Sequence, residues 1–158
     1  VRAEEIEILL VEDNSADAEL TLHALRKNTH VNRIHVLRDG EQALNFIFCK
    51  EPYEERAGRP LPQVVLLDLK LPKVDGLSVL RTLKEDRRTR CMPVIVLTSS
   101  KEDSDLTTSY ELGANSYIQK PVDFELFRET VNTLALYWLL INQSPLRQAI
   151  TNHTEKLA

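Results

Sequence analysis

The chain has 158 residues, with 20 Lys and Arg against 24 Asp and Glu, a formal net charge of −4, and 42% hydrophobic and 28% charged residues. That length buries one proper core and leaves little for a second, and the composition is that of a globular protein, neither fibrous nor disordered. No apolar run approaches the ~20 residues of a bilayer span, Val1–Glu7 has no secretory pattern, and a mildly acidic chain without a basic block speaks against nucleic acid as its direct ligand. Two cysteines, Cys49 and Cys91, make no disulfide framework and fit a reducing cytoplasm.

Short apolar runs alternate with stretches of helical period. Ile6–Val11 reads as a strand, and Ala16–Asn28 as a helix with Ala16, Leu20 and Ala24 on one face, capped by Asn14 or Ser15. Ile34–Leu37, alternating around His35, precedes a helix over Glu41–Phe48. Lys50–Leu61 is polar and reads as a solvated loop. Val64–Leu67 leads to a helix over Leu77–Asp86, with Asp75-Gly76 as its turn. Val94–Leu97 leads to a helix over Glu102–Leu112, and Ser116–Ile118 to a long helix over Asp123–Ile141. The strand runs recur roughly every 30 residues, the length of one strand-plus-helix unit. Five such units mean a parallel sheet covered on both faces.

Strands one, three and four are almost wholly apolar, as strands buried on both faces must be. Strands two and five are more polar and suit the edges. The order 2-1-3-4-5 follows under right-handed crossovers, a flavodoxin-like (βα)5 three-layer α/β sandwich. Its ligand site is the crevice at the carboxyl ends of strands one and three. The four glycines, at 40, 58, 76 and 113, write no phosphate-binding loop, dinucleotide fingerprint or nucleophile elbow.

Four strand ends converge on that crevice. Glu12-Asp13 ends strand one, Asp68 strand three, Thr98-Ser99-Ser100 strand four, and Lys120-Pro121 strand five. Three crowded carboxylates repel, so one protonates unless a cation sits among them. Hard oxygen donors with room for water favour Mg2+ or Mn2+ over zinc. Asp68, after the most central strand, is placed to attack phosphorus and become an acyl phosphate. Thr98 and Lys120 would then hold phosphoryl oxygens. Each residue also has a plain reading: Asp13 or Thr98 as a helix cap, Asp68 as a turn acid, Lys120 as a solvated loop lysine. Their coincidence at consecutive strand ends favours a site.

The runs ILLVEDN (8–14), VVLLDLKLPKVDG (64–76), VIVLTSS (94–100) and NSYIQKPVD (115–123) resemble the receiver domain of two-component response regulators, the CheY-like family. The resemblance covers residues 5–141. It implies a phosphoacceptor at Asp68, with Glu12, Asp13, Asp68 and the backbone carbonyl of Lys70 around the metal. It also implies phosphoryl contacts from Thr98 and Lys120, a cis bond between Lys120 and Pro121, and a switch formed by Thr98 and Tyr117. Two departures, Lys70 and Ser100, stand two residues beyond Asp68 and Thr98, where relatives tune dephosphorylation. Neither side chain carries an amide or carboxylate to orient water, so a long-lived phosphoryl group is expected.

After Ile141 only a polar extension (142–158) remains, too short for a DNA-binding module, so output is expected through protein contacts. In the last helix Phe124, Phe127, Val131, Leu134, Trp138 and Ile141 form one core-facing stripe. Leu134–Ile141 is nevertheless apolar all round, which calls for a second covering surface: the tail folding back, or a partner. A homodimer through this helix is expected, its face including Phe127, Leu134, Tyr137, Trp138, Leu140 and Ile141. The Lys50–Leu61 insertion and the LYWLL ending resemble stand-alone response regulators of phytochrome-type kinases, notably cyanobacterial ones, which implies a sensor histidine kinase as phosphoryl donor. His23 lies near the side on which such a kinase would dock. The alternatives are a magnesium-dependent phosphatase with an aspartyl nucleophile, a scaffold that is not phosphorylated, and a flavodoxin-type cofactor binder. The first needs a second acid where this chain has Lys70, the second would have degraded acids, and Glu12-Asp13 would repel the phosphate of the third.

Overall fold

The five apolar runs form β1 (Glu7–Val11), β2 (Arg33–Leu37), β3 (Val64–Leu67), β4 (Val94–Thr98) and β5 (Ser116–Gln119). All pair in parallel in the order β2-β1-β3-β4-β5, as polarity predicts. The computed structural model describes residues 6–27 and 33–145. β3 and β4 are buried at every position, whereas the edge strands β2 and β5 are mostly half-exposed. Helices α1 (Ser15–Arg26), α2 (Gly40–Ile47), α3 (Gly76–Glu85), α4 (Asp103–Glu111) and α5 (Phe124–Ala135) cover the two faces. Asn28 and the tail from 146 to 158 lie outside the described residues.

Polar residues at the strand ends start the helices. Asn14, Asp39, Asp75 and Asp123 each accept a backbone amide of the first turn, a contact contributing about 1 kcal/mol. Asn14 therefore caps α1, which leaves Asp13 free of that duty. Thr98 is not a cap either: Glu102 precedes α4 and makes no side-chain capping bond.

Alternation along the strands splits the core. Leu9, Val11, Val65, Leu67 and Val96 pack with Phe46, Leu80 and Leu83 of α2 and α3. Ile8, Leu10, Leu66, Ile95 and Leu97 pack with Leu25, Phe127 and Val131 of α1 and α5. α5 continues into a π-helical turn over Leu136–Ile141. The wider turn rotates the apolar stripe, so Leu139 is fully buried while Ile141, expected on the core side, is 57% exposed. Phe124 also leaves the stripe, because at the first position of α5 it overhangs Ala16, Leu20 and His23 of α1. Phe127 and Leu134, expected on a dimer face, are buried in the core. The outward apolar side chains of this region are Leu126, Leu136, Tyr137, Leu140 and Ile141, with Trp138 half-buried against the core.

The insertion at 50–61 is more than a solvated loop. It forms a short 3-10 turn at Glu54–Arg56. Arg56 Nη1 donates to Glu7 Oε1 at 2.9 Å, and its guanidinium lies 3.6 Å from the Phe46 ring centre. Tyr53 packs edge-on against the same ring. Among the described residues the cis peptide is Glu51–Pro52, and the expected cis bond at Lys120–Pro121 is trans. Lys120 is placed upstream of that bond, by its own amide on the carbonyl of Thr98. Among the described residues no helix is long and apolar enough to cross a membrane.

Candidate functional site

The strand ladder runs one residue past the strand ends. Glu12 N–H donates to Leu37 O at 2.9 Å, Asp68 N–H to Val11 O at 3.1 Å, and Lys120 N–H to Thr98 O at 2.7 Å. With Val11 opposite Leu67, Leu67 opposite Val96 and Val96 opposite Tyr117, Glu12 and Asp68 stand at one height on the carboxyl edge and Lys120 two residues further along β5. α3 begins close beneath: a Cβ on Gly76 would lie 2.2 Å from Asp68 O and 2.5 Å from Leu69 Cα. Only glycine lets the chain return this tightly, with Gly76 N–H bonded to Leu69 O at 2.8 Å.

Lys120 is the hub. Its ammonium donates to Glu12 Oε2 at 2.6 Å, Asp17 Oδ2 at 2.9 Å and Asp68 Oδ2 at 3.1 Å. Glu12, Asp68 and Lys120 are all buried, and Asp13, although exposed, offers a carboxylate oxygen within 4.8 Å of oxygens of Glu12 and Asp68. Glu12 Oε1 accepts the amide of Asn14 at 3.1 Å, and Asp68 Oδ1 the amide of Lys70 at 3.4 Å. Burial pushes the Glu12 carboxyl up to about 7; the Lys120 hydrogen bond opposes this, and the Asp68 charge adds to it. Burial alone would lower Lys120, but its bonds to Glu12 and Asp17 and the Asp68 charge carry it well above the ordinary lysine range.

Thr98 is fully buried, its Oγ1 accepting the amide of Ser100 at 3.3 Å. Tyr117 is half-buried, and its hydroxyl donates to the carbonyl of Ser100 at 3.5 Å. The site thus gathers Glu12, Asp13, Asp68, Thr98 and Lys120, with Tyr117 one residue beyond. Lys70 is an exposed residue beside Asp68. Asp17 escaped sequence reasoning, because an acid in a first helical turn is already accounted for by the helix dipole. Ser100 was singled out by position, but its partner Asp105, bonded at 2.5 Å, was not.

The donor set suits a hard dication. Lys120 takes one oxygen each of Glu12 and Asp68, leaving their second oxygens and the carboxylate of Asp13. These are anionic oxygens with no His or Cys among them, the chemistry of Mg2+ or Mn2+ sites.

A parallel sheet of this order, with three acids and a lysine at its switch point, defines a receiver module. The chain belongs to the response regulator receiver domain family, which matches residues 8–132. Among its relatives, the probable methanogenesis regulatory protein FilR2 of Methanothrix harundinacea is 47% identical over 87% of this chain and 86% of its own. The response regulator Rcp1 of Synechocystis is 38% identical over 84% of this chain and 88% of its own. Solved structures agree. The phosphorylated cyanobacterial phytochrome response regulator RcpA superposes with a TM-score of 0.84 at 35% identity, over 89% of this chain and 99% of that one. The Mn(2+)-bound form of Rcp1 gives 0.82 at 36%, over 89% and 99%. The bacteriophytochrome response regulator AtBRR gives 0.69 at 50%, again over 89% and 99%.

Proposed function

We propose that this chain is a phosphoryl-accepting response regulator, with Asp68 as acceptor and a phytochrome-type sensor histidine kinase as donor. The observation that carries the reading is the Lys120 ammonium bonded at once to Glu12 and Asp68, beside the carboxylate of Asp13. Asp68 attacks the phosphorus of a phosphohistidine; the nitrogen–phosphorus bond breaks as the acyl phosphate forms, and the imidazole leaves with a proton. Lys120 neutralises a phosphoryl oxygen, and the Thr98 hydroxyl, which accepts from the Ser100 amide and keeps its own proton, donates to another. Glu12, Asp13, Asp68 and the carbonyl of Lys70 would hold Mg2+ (or Mn2+), whose chemistry is to screen the acids and orient phosphoryl oxygens. The phosphorylated state of RcpA and the manganese-bound state of Rcp1 support the acceptor and the metal. The names of RcpA and AtBRR support a phytochrome-type donor.

Signalling proceeds by protein contact on the α4–β5–α5 side rather than by catalysis on a separate substrate. The exposed large apolar side chains of the described residues all fall between Leu106 and Ile141, which supports a homodimer using Tyr137, Leu140 and Ile141. Incubation with acetyl phosphate and magnesium, read by intact mass, tests the acceptor: wild type gains one phosphoryl group and Asp68→Asn gains none. Equal labelling of both would remove Asp68 from the role. Sedimentation of wild type against Tyr137→Glu/Ile141→Glu tests the dimer, which the pair of substitutions should dissociate; a monomeric wild type at tens of micromolar would end that part of the reading.

A further inference from the structure

Ser100 gathers more of the switch region than any other residue of the β4–α4 loop. Its amide donates to Thr98 Oγ1 at 3.3 Å, and its carbonyl accepts the Tyr117 hydroxyl at 3.5 Å. Its own hydroxyl accepts the amide of Glu102 at 3.3 Å and donates to Asp105 Oδ2 at 2.5 Å, in the first turn of α4. The residue is 4% exposed, so this hydroxyl–carboxylate bond is shielded from water on the serine side. A charge-assisted bond in such a place is stronger than a neutral one.

From this geometry we infer that the Ser100–Asp105 bond is a clasp that holds the loop in its unphosphorylated arrangement and so sets how readily Asp68 is phosphorylated. The inference rests on the phosphoryl-acceptor reading above. Thr98 Oγ1 accepts from the Ser100 amide and keeps its own proton to donate to a phosphoryl group on Asp68; as Thr98 turns toward that group, the Ser100 amide and residues 99–102 are drawn with it toward the pocket. Ser100 cannot follow while its hydroxyl is fastened to α4. Ser100 and Asp105 are positioning residues: neither touches the reacting atoms, and both act through Thr98. Because the Tyr117 hydroxyl is fastened to the same residue, releasing the clasp frees both halves of the switch together. A ligand or a covalent group shifts a two-state element only by its preference for one state. Removing a bond made only in the resting state therefore favours phosphorylation.

The experiment is the initial rate of phosphorylation of the full chain by acetyl phosphate and magnesium, read by intact mass. Ser100→Ala and Asp105→Asn should each be about tenfold faster than wild type, the scale of one hydrogen bond to a charged group. The double variant should be no faster than the faster single one, since both act on the same bond, Ser100→Ala by removing its donor and Asp105→Asn by removing the charge of its acceptor. Ser100→Thr keeps the hydroxyl and should return the rate toward wild type. Asp103→Asn removes an exposed acid from the same helical turn and should leave the rate unchanged. Acceleration by Asp103→Asn equal to that by Asp105→Asn would show a general charge effect and overturn the clasp. So would a wild-type rate in Ser100→Ala, or additive effects in the double variant. A wild type that takes no label overturns the acceptor reading and the clasp with it, whereas a labelled wild type with unaccelerated variants overturns the clasp alone.

Discussion

Replacing Glu12 with glutamine probes the electrostatics of the pocket without touching the proposed acceptor. Burial holds the Glu12 carboxyl at about 7, against an ordinary value of 4.5. Between those values the folded chain keeps a proton that the unfolded chain has released. The unfolded state binds fewer protons there, so stability falls as pH rises through the window. At about 1.4 kcal/mol per pH unit, the span from 4.5 to about 7 amounts to roughly 3 kcal/mol, fully present below the window and lost above it. Glutamine removes the titration, and Lys120 keeps Asp17 and Asp68 as partners at 2.9 and 3.1 Å. In urea unfolding with a metal chelator present, Glu12→Gln should match wild type near the bottom of the window and exceed it by about 3 kcal/mol above the top. Magnesium should narrow the gap, because it binds the folded wild type and stabilises it by mass action. A gap that does not change with pH, or a variant less stable than wild type above the window, would refute the reasoning.

Three further outcomes follow from the same geometry. Gly76→Ala would force a Cβ to 2.2 Å from Asp68 O; a destabilisation of about 3 kcal/mol in urea, together with slowed labelling of Asp68, is expected. Arg56→Ala removes the bond to Glu7 and the stacking on Phe46. It should cost about 1–2 kcal/mol and speed proteolysis between residues 50 and 61, while labelling of Asp68 is unaffected. The phosphoryl group on wild type should outlast removal of the donor by many minutes, since neither Lys70 nor Ser100 carries an amide or carboxylate to orient water; loss of label within seconds in magnesium buffer would contradict this.

The sheet and its order were legible because strand polarity reports burial directly: Val64–Leu67 and Val94–Leu97 can only be central, and His35 marks an edge. Glu12, Asp13, Asp68, Thr98 and Lys120 were legible because topology alone brings four strand ends to one rim. What stayed hidden depends on side-chain reach or on backbone detail. Asp17 reaches Lys120 across a helical turn, and nothing in its spacing distinguishes it from an acid favoured by the helix dipole. The π-helical turn at Leu136–Ile141 changes which residues face inward, and a stripe counted at helical steps of three and four cannot foresee a longer step. Ile141 was therefore assigned to the core in place of Leu139. The insertion looked solvated from its charges, yet the planar head of Arg56 spreads over Phe46 while its Nη1 meets Glu7, a use of arginine that composition does not reveal.

The raised carboxyl of Glu12 and the elevated ammonium of Lys120 have one origin. Glu12, Asp17 and Asp68 all pair with Lys120, and Asp13 lies beside Glu12 and Asp68, so full ionisation leaves an excess of negative charge in a partly dry pocket. Two things can relieve it, a proton on Glu12 or a dication among the outer oxygens, and they compete for the same deficit. The protonated pocket is folded, but it has lost one of the anionic oxygens the dication needs. Phosphorylation then deepens the deficit, since a phosphoryl group of about −1.5 to −2 replaces one carboxylate charge. The dication requirement for labelling should accordingly rise as pH falls through about 7, the value to which burial pushes Glu12, and Glu12→Gln, which cannot bind that proton, should lose this component of the pH dependence.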